Sequence, residues 1–407
     1  MNESTLASLT LVFMIAVATP VLISLPRRIR IPGVVLEIFL GILIGPEVLG
    51  WAHPETFTGL SEFGLAFLIF LAGFEVDANK LKGAPLRLAA GGWAISLVLG
   101  LGVGYLLHTS GVTLNTLVVG LAITTTALGT LLPILRDSGR LNTPFGTHVM
   151  AVGAVGEFGP IIAIALAFGS GTPAKTALSL LGFGAVAAVA LWISTRPVPP
   201  KVTTLASRSL QNTGQLPIRL SLLVTIAMLW WTSNQGLDIL LGAFTAGIVF
   251  RGFSHSGADE SDVHAIESKL DAIGFGFLVP IFFIHSGMVF DLEALTSEAS
   301  AWLKVPLFLV LMLVVRGVPV LVLYRKELPT RVRRGLALAA GAQLPLVVVV
   351  TTLGVEAGKM RPVNAAALVA AGMLSVLIYP LIGFRLATDP STNPTDSTNP
   401  TDPLLSR

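Results

Sequence analysis

Between clusters of proline, glycine and charge, this 407-residue chain is a series of apolar windows, most of them long enough to cross a lipid bilayer. They lie at 9–25, 32–50, 60–78, 86–108, 114–135, 144–169, 175–194, 216–232, 236–250, 270–290, 301–323, 333–354 and 362–385, which predicts about 13 transmembrane helices. Hydrophobic residues make up 53% and charged residues 12%, about half the charge of an ordinary soluble protein. So little charge cannot clothe a globule in water, which sets aside a soluble enzyme, a nucleic-acid binder and a disordered scaffold. Hydrocarbon offers no partner for backbone N–H and C=O groups, and no ten-residue alternating strands of a barrel are seen. The expected fold class is therefore an all-α polytopic membrane protein. With no cysteine, disulfides, thiolate zinc clusters and cysteine nucleophiles are excluded.

Lysine and arginine resist translocation, so their distribution orients the crossings. With the N-terminus outside, the inner loops and C-terminus collect Arg27, Arg28, Arg30, Lys80, Lys82, Arg87, Arg136, Arg140, Arg196, Lys201, Arg208, Arg219, Arg251, Lys269, Arg325, Lys326, Arg331, Arg333, Arg334, Arg385 and Arg407. The outer side holds only Lys175, Lys304, Lys359 and Arg361. One missed helix would scramble this alternation, so the bias supports the number of crossings as well as their direction. Met1-Asn2-Glu3-Ser4 lacks the basic start of a cleaved signal peptide. The segment 386–407, with Ser-Thr-Asn-Pro-Thr-Asp at 391–396 and again at 397–402, is expected to be disordered.

An internal repeat is legible. Leu36-Glu37-Ile38-Phe39-Leu40-Gly41 in the second crossing matches Leu237-Asp238-Ile239-Leu240-Leu241-Gly242 in the ninth, and Gly73-Phe74-Glu75-Val76-Asp77 resembles Gly287-Met288-Val289-Phe290-Asp291 at the end of the tenth. Both equate helix n with helix n+7. Seven is odd, so the halves enter the membrane from opposite sides, an arrangement typical of secondary transporters whose site lies at the midplane between discontinuous helices.

Charge within hydrocarbon costs about 2.5–3.5 kcal/mol or more per residue, so each case is a functional candidate. Glu157, in Val155-Gly156-Glu157-Phe158-Gly159-Pro160, falls near the centre of the sixth crossing. A carboxylate there can be neutralised by a proton or by a bound cation. Arg316 is the cation of the eleventh crossing and is expected to pair with Glu157 when no ion is bound. Two segments look built to interrupt a helix: Thr124, Gly129 and Pro133 in the fifth crossing, and Gly341, Gln343 and Pro345 in the twelfth, again helices n and n+7. Their freed carbonyls, with Thr125 and Thr126, would help Glu157 hold an ion. His148 and His285 are possible pH sensors. Glu37, Glu75, Asp77, Asp238 and Asp271 lie near helix ends, where solvated or salt-bridged roles are expected.

The stretch Phe67-Leu68-Ile69-Phe70-Leu71-Ala72-Gly73-Phe74-Glu75-Val76-Asp77 resembles the third-helix signature of the monovalent cation:proton antiporter family 2, the Kef- and Nap-type sodium or potassium/proton exchangers. Pro280-Ile281-Phe282-Phe283-Ile284-His285-Ser286-Gly287-Met288 is similar to the tenth-helix signature, and Arg333-Arg334-Gly335-Leu336 with Gln343 to the Gly-rich twelfth helix. The resemblance, over about 15–385, implies a sodium/proton antiporter-like fold of inverted repeats with crossed discontinuous helices. It also implies a dimerisation domain at 1–78 (helices 1–3) and 216–291 (helices 8–10), a linking helix at 175–194, and an ion-binding core at 84–170 (helices 4–6) and 301–385 (helices 11–13). A homodimer with elevator-like alternation of access is implied too. The family carries an acidic or amide–acidic pair at the centre of the sixth helix. Here that pair reads Gly156-Glu157, which leaves Glu157 as the ion-binding carboxylate and Gly156 unable to supply a second ligand; the basic partner of the eleventh helix falls on Arg316.

The expected function is exchange of Na+ or K+ for H+ in a bacterial inner membrane, electroneutral because one carboxylate serves both ions. The partners are these ions, the lipid bilayer and a second copy of the chain, with no nucleic acid, no cofactor and no metal beyond the transported cation. A sodium-coupled organic-anion symporter of related fold and a non-transporting membrane sensor are the rival readings. No Ser/His/Asp or multi-histidine constellation suggests an enzyme.

Overall fold

A computed structural model describes residues 3–24, 32–76, 83–168, 173–194, 196, 200–237, 239–255 and 259–387. Asp77, Asp238, the basic residues at 27, 28, 30, 80, 82 and 407, and the segment 388–407 lie outside the described residues. Among those described, all regular structure is helical. In chain order the helices are α1 (Glu3–Ser24), α2 (Gly33–Ile44), α3 (Thr58–Glu75), α4 (Ala84–Thr109), α5 (Thr116–Ala122), α6 (Leu128–Asp137), α7 (Pro144–Phe168), α8 (Pro173–Ser194) and α9 (Pro200–Leu210). Then follow α10 (Leu216–Asn234), α11 (Ile239–His255), α12 (Glu260–Ile273), α13 (Val279–Met288), α14 (Leu292–Ser297), α15 (Ala299–Leu323), α16 (Thr330–Ala340), α17 (Pro345–Glu356) and α18 (Pro362–Leu386).

Nine helical stretches among the described residues are long and apolar enough to cross a membrane, and three shorter apolar helices lie at Gly33–Ile44, Leu181–Ala190 and Ile239–His255. The protein is thus a multi-pass membrane protein. The fifth window is not among the nine because it is split into α5 and α6, seven and ten residues long. The tenth window begins earlier than its hydropathy suggests: α12 starts at Glu260 and runs through a π-helical turn, Gly274–Leu278, into α13. Lys269, expected in a loop, is therefore on a helix, where its ammonium donates to the Leu210 carbonyl at 2.6 Å and to Gln215 Oε1 at 2.8 Å. Two helices had no apolar window to announce them, α9 and α14; the first is short and polar on one face.

Glycines set the closest helix crossings. A Cβ on Gly41 of α2 would strike the Ile284 carbonyl of α13, and one on Gly287 would strike Ile38. In the same way Gly73 of α3 lies against the Phe244 carbonyl of α11, and Gly247 against Phe70. Small residues let backbones approach where lipid supplies no hydrophobic drive to associate. The second crossing thus packs on the tenth and the third on the ninth, the reciprocal pattern that a two-fold relation between helices n and n+7 requires. Apart from these pairs, α4 packs on α5, α7 and α15, and α18 packs on α15, α16 and α17.

Candidate functional site

The chain leaves helical geometry twice in mid-membrane, at 123–127 between α5 and α6 and at 341–344 between α16 and α17. The breaks cross and satisfy one another. The Ala127 amide donates to the Ala342 carbonyl at 2.8 Å, the Thr126 hydroxyl to the Ala340 carbonyl at 2.8 Å, and the Gln343 side-chain amide to the Ile123 carbonyl at 3.0 Å. Gln343 is itself pinned by Ser375 of α18, whose hydroxyl receives the Gln343 N–H at 2.9 Å and lies 3.1 Å from its carbonyl. Thr124 and Thr125 turn their hydroxyls back to Leu121 and Ala122 carbonyls, and Thr125 also reaches Gln343 Oε1 at 3.4 Å.

The breakers differ from expectation in one respect. Gly129 and Pro133 do not interrupt the fifth crossing; both lie within α6, whose first residue is Leu128. The unwinding is made by the threonine run upstream, where hydroxyls compete for carbonyls and cross-helix hydrogen bonds replace helical ones. Pro345, by contrast, stands at the first position of α17, where a missing N–H removes nothing.

Glu157 is fully buried, and both of its carboxylate oxygens lack a hydrogen-bond partner among the described residues. The Gly129 amide lies near enough to act on it without closing a hydrogen bond. That amide belongs to the first turn of α6, so the positive end of a half-helix faces the carboxylate. A buried unpartnered polar group is rare enough to require an explanation, such as a bound ion or water.

Arg316 is also buried, 2% exposed. Its Nε donates to Thr126 Oγ1 at 2.9 Å, its Nη1 to Ser96 Oγ at 3.3 Å, and its Nη2 to the Val152 carbonyl at 3.2 Å. The expected direct ion pair with Glu157 is therefore replaced by three neutral acceptors. Helix geometry gives the reason. A Cβ on Gly156 would lie 2.6 Å from Arg316 Nη2 and 2.6 Å from Thr126 Oγ1, whereas one on Gly153 would meet Leu128 at 2.7 Å. Arg316 thus occupies the α7 face of Val152 and Gly156, and Glu157, one turn above Gly153 and about 100° away, faces α6 instead. The lack of a side chain at 156, which sequence reading treats as a lost ligand, is the space the guanidinium fills.

Ser96 and Ser375 were not among the residues anticipated. Ser96 carries a signal, since Gly92, Ser96, Gly100 and Gly104 form an every-fourth stripe of small buried residues along α4, the mark of a close-packed face. Ser375 has no comparable signal. Near Glu157 the Trp93 ring packs on Gly159, 2.6 Å from where a Cβ would stand. The histidines are elsewhere: the buried His148 meets the Tyr324 ring edge-on at 5.3 Å, about 13 Å along α7 from Glu157, and His285 lies edge-on to Phe57 at 5.5 Å. Glu37, expected near solvent, is 8% exposed. Glu75 and Asp271 both pair with Arg136.

A cavity of about 1140 Å³ opens at the end of the bundle where α3, α6 and α11 finish and α7 and α12 begin, lined among others by Glu75, Arg136, Thr147, Met150, Arg251 and Asp271. Met150 is seven residues from Glu157, about 10 Å along α7.

Paired mid-membrane breaks, reciprocal helix packing and a buried lone carboxylate define an ion-carrier architecture. The sodium proton antiporter MjNhaP1 from Methanocaldococcus jannaschii shares the fold, with a TM-score of 0.69 at 18% identity, covering 95% of this chain and 100% of that one. The sequence profile described as sodium/hydrogen exchanger, transmembrane, matches residues 13–388, and the chain belongs to that family of transporters. YjbQ of Bacillus subtilis is 26% identical over 397 residues, 94% of this chain, and the chain spans 63% of its length. The Na+/H+-K+ antiporter GerN of Bacillus cereus is 25% identical over 308 residues, 70% of this chain and 72% of that protein.

Proposed function

We propose that the protein exchanges Na+ or K+ for H+ across a bacterial cytoplasmic membrane, with Glu157 as the group that holds either ion. The observation that carries this reading is the fully buried carboxylate with two unpartnered oxygens beside the crossing of two broken helices. The Thr126 amide donates to the Gly156 carbonyl at 3.0 Å, which ties the unwound stretch to the helix of Glu157, and the carbonyls of that stretch with Thr125 would complete a coordination shell for a dehydrated monovalent cation. Thr126 has a different part: its hydroxyl is engaged by both Ala340 and Arg316, so it positions the arginine.

Charge arithmetic favours one-for-one exchange. Glu157 and Arg316 sum to zero when the site is empty and to +1 with either a proton or a monovalent cation bound, so each exchange moves no net charge. Helices 4–6 and 11–13 form the moving core, helices 1–3 and 8–10 a static dimerisation unit within a homodimer, and helix 7 links them. The basic end of the bundle, with the cavity, faces the cytoplasm and the N-terminus lies outside, a reading that the positive-inside bias supports. Family membership leaves the organic-anion symporter and the sensor without support.

Reconstituted vesicles with a pH gradient and an internal fluorescent pH probe test the assignment. Wild type should dissipate the gradient on addition of Na+ or K+ with no electrical current, and Glu157→Gln should insert but not exchange. Cation-driven proton flux in Glu157→Gln would overturn it.

A further inference from the structure

One side chain lining the cavity is bonded to two helices. Arg136, in the last turn of α6, places Nη2 on Glu75 Oε1, the last residue of α3, and Nη1 on Asp271 Oδ2 of α12. The three side chains are 29%, 11% and 31% exposed, so the pairs are partly shielded from water rather than free on the surface. Other described ion pairs, His264–Glu267 and Lys304–Glu298, join near neighbours in the chain.

The two sides of this contact stand on different helices, α6 on one side and α3 and α12 on the other, and α6 also packs on α3 nearer the ion site, where Gly129 lies against Leu68. Arg136 is seven residues along α6 from Gly129, the residue whose amide faces Glu157, so one short rigid helix joins the arginine to the ion site. Glu75 stands on α3, which glycines hold closely against α11 (Gly73 on Phe244) and against the π-helical turn that follows α12 (Gly64 on Leu278), and Asp271 stands on α12 just before that turn. Charges facing the cluster from the surrounding elements are Arg251 and His255 of α11 and Glu260, His264 and Glu267 of α12.

We propose that Arg136 is a latch that closes on Glu75 and Asp271 only while the cavity at the basic end stands open, and that it sets the fraction of time the carrier spends open on that side. The proposal rests on the reading that α6 and α7 move against α3 and α12. A shift of one helical turn, about 5.4 Å, exceeds the reach of an ion pair, so both contacts must part during such a motion. The three residues line the open cavity itself, which assigns the closed latch to the state open there. Two half-shielded pairs shift the ratio of the two access states by about 5- to 30-fold.

The absence of cysteine makes any introduced thiol unique. In full-length protein carrying Met150→Cys, reaction with a membrane-impermeant maleimide added from the basic side reports how often the cavity is open. Arg136→Gln should slow that reaction and Arg136→Lys should restore most of it; Glu75→Gln with Asp271→Asn should reproduce the loss from the other side of the contact. In a second experiment, Arg136→Cys with Asp271→Cys is bridged by a short bis-thiol reagent, which should stop exchange until the bridge is cleaved. If neither Arg136→Gln nor the paired carboxylate variant changes the labelling rate while the bridged protein is blocked, the latch is refuted and the moving core stands. If the bridged protein still exchanges ions, the moving core is refuted and the latch falls with it.

Discussion

Adding a single methyl group at position 156 tests how the guanidinium is seated. In Gly156→Ala the new Cβ would lie 2.6 Å from Arg316 Nη2, 2.6 Å from Thr126 Oγ1 and 2.7 Å from Thr126 Cβ, well inside van der Waals contact. Arg316 cannot yield without giving up its bond to the Val152 carbonyl or to Thr126. Overpacking a tight interior costs about 1–3 kcal/mol, and losing one hydrogen bond from a charged donor costs about 1.5–3 kcal/mol. Replacing a helical glycine by alanine returns about 1 kcal/mol. The balance is a destabilisation of about 2–4 kcal/mol, with exchange reduced because the arginine no longer sits against α7. Gly102→Ala on α4 is the matched control: nothing lies within 4 Å of its Cβ position, so only the helical gain applies. Thermal unfolding in detergent and gradient dissipation in vesicles measure the two effects. A Gly156→Ala protein as stable and active as Gly102→Ala would show that Arg316 is not held in the seat described.

Three further outcomes follow from the same contacts. Ser96→Ala removes one acceptor of Arg316 and should cost about 1–2 kcal/mol with exchange retained, whereas Arg316→Lys cannot reach Thr126, Ser96 and Val152 together and should lose exchange while remaining folded; equal effects of the two in a vesicle assay would contradict this. Gln343→Ala leaves the Ile123 carbonyl unpaired and opens a void, lowering stability by about 2–4 kcal/mol; an unchanged unfolding temperature would contradict the crossing as drawn. Gly73→Val drives a branched side chain into the Phe244 backbone and should abolish assembly of α3 against α11, seen as loss of monodisperse protein in size-exclusion chromatography, while the exposed Gly59→Val should not.

Much of the architecture was legible because a bilayer allows few solutions. Apolar windows marked most crossings, and the pairing of 36–41 with 237–242 announced the reciprocal packing seen between α2 and α13 and between α3 and α11. Glu157, Arg316 and the two interrupted crossings could be named because each breaks the rule of an apolar helix. What the chain did not disclose was direction. Gly156 and Glu157 are neighbours in sequence but point about 100° apart on α7, which separates the arginine from the carboxylate. Pro133 looked like a breaker, yet the preceding threonines do the unwinding. Ser375 is one hydroxyl among many until the fold brings it to Gln343, and α9 has too little apolar surface to stand out.

The Thr126 amide donates to the Gly156 carbonyl at 3.0 Å, stitching the unwound stretch of the fifth crossing to the helix that bears the carboxylate. With Ala127 tied to Ala342, the electrostatic surroundings of Glu157 are bound together as one object. Under the proposed movement of the core, a site that travels intact would keep the same intrinsic affinity at either surface of the membrane. Such a device has no built-in direction: it runs whichever way the two concentration ratios send it, and any preference for one side must be imposed by contacts outside the site.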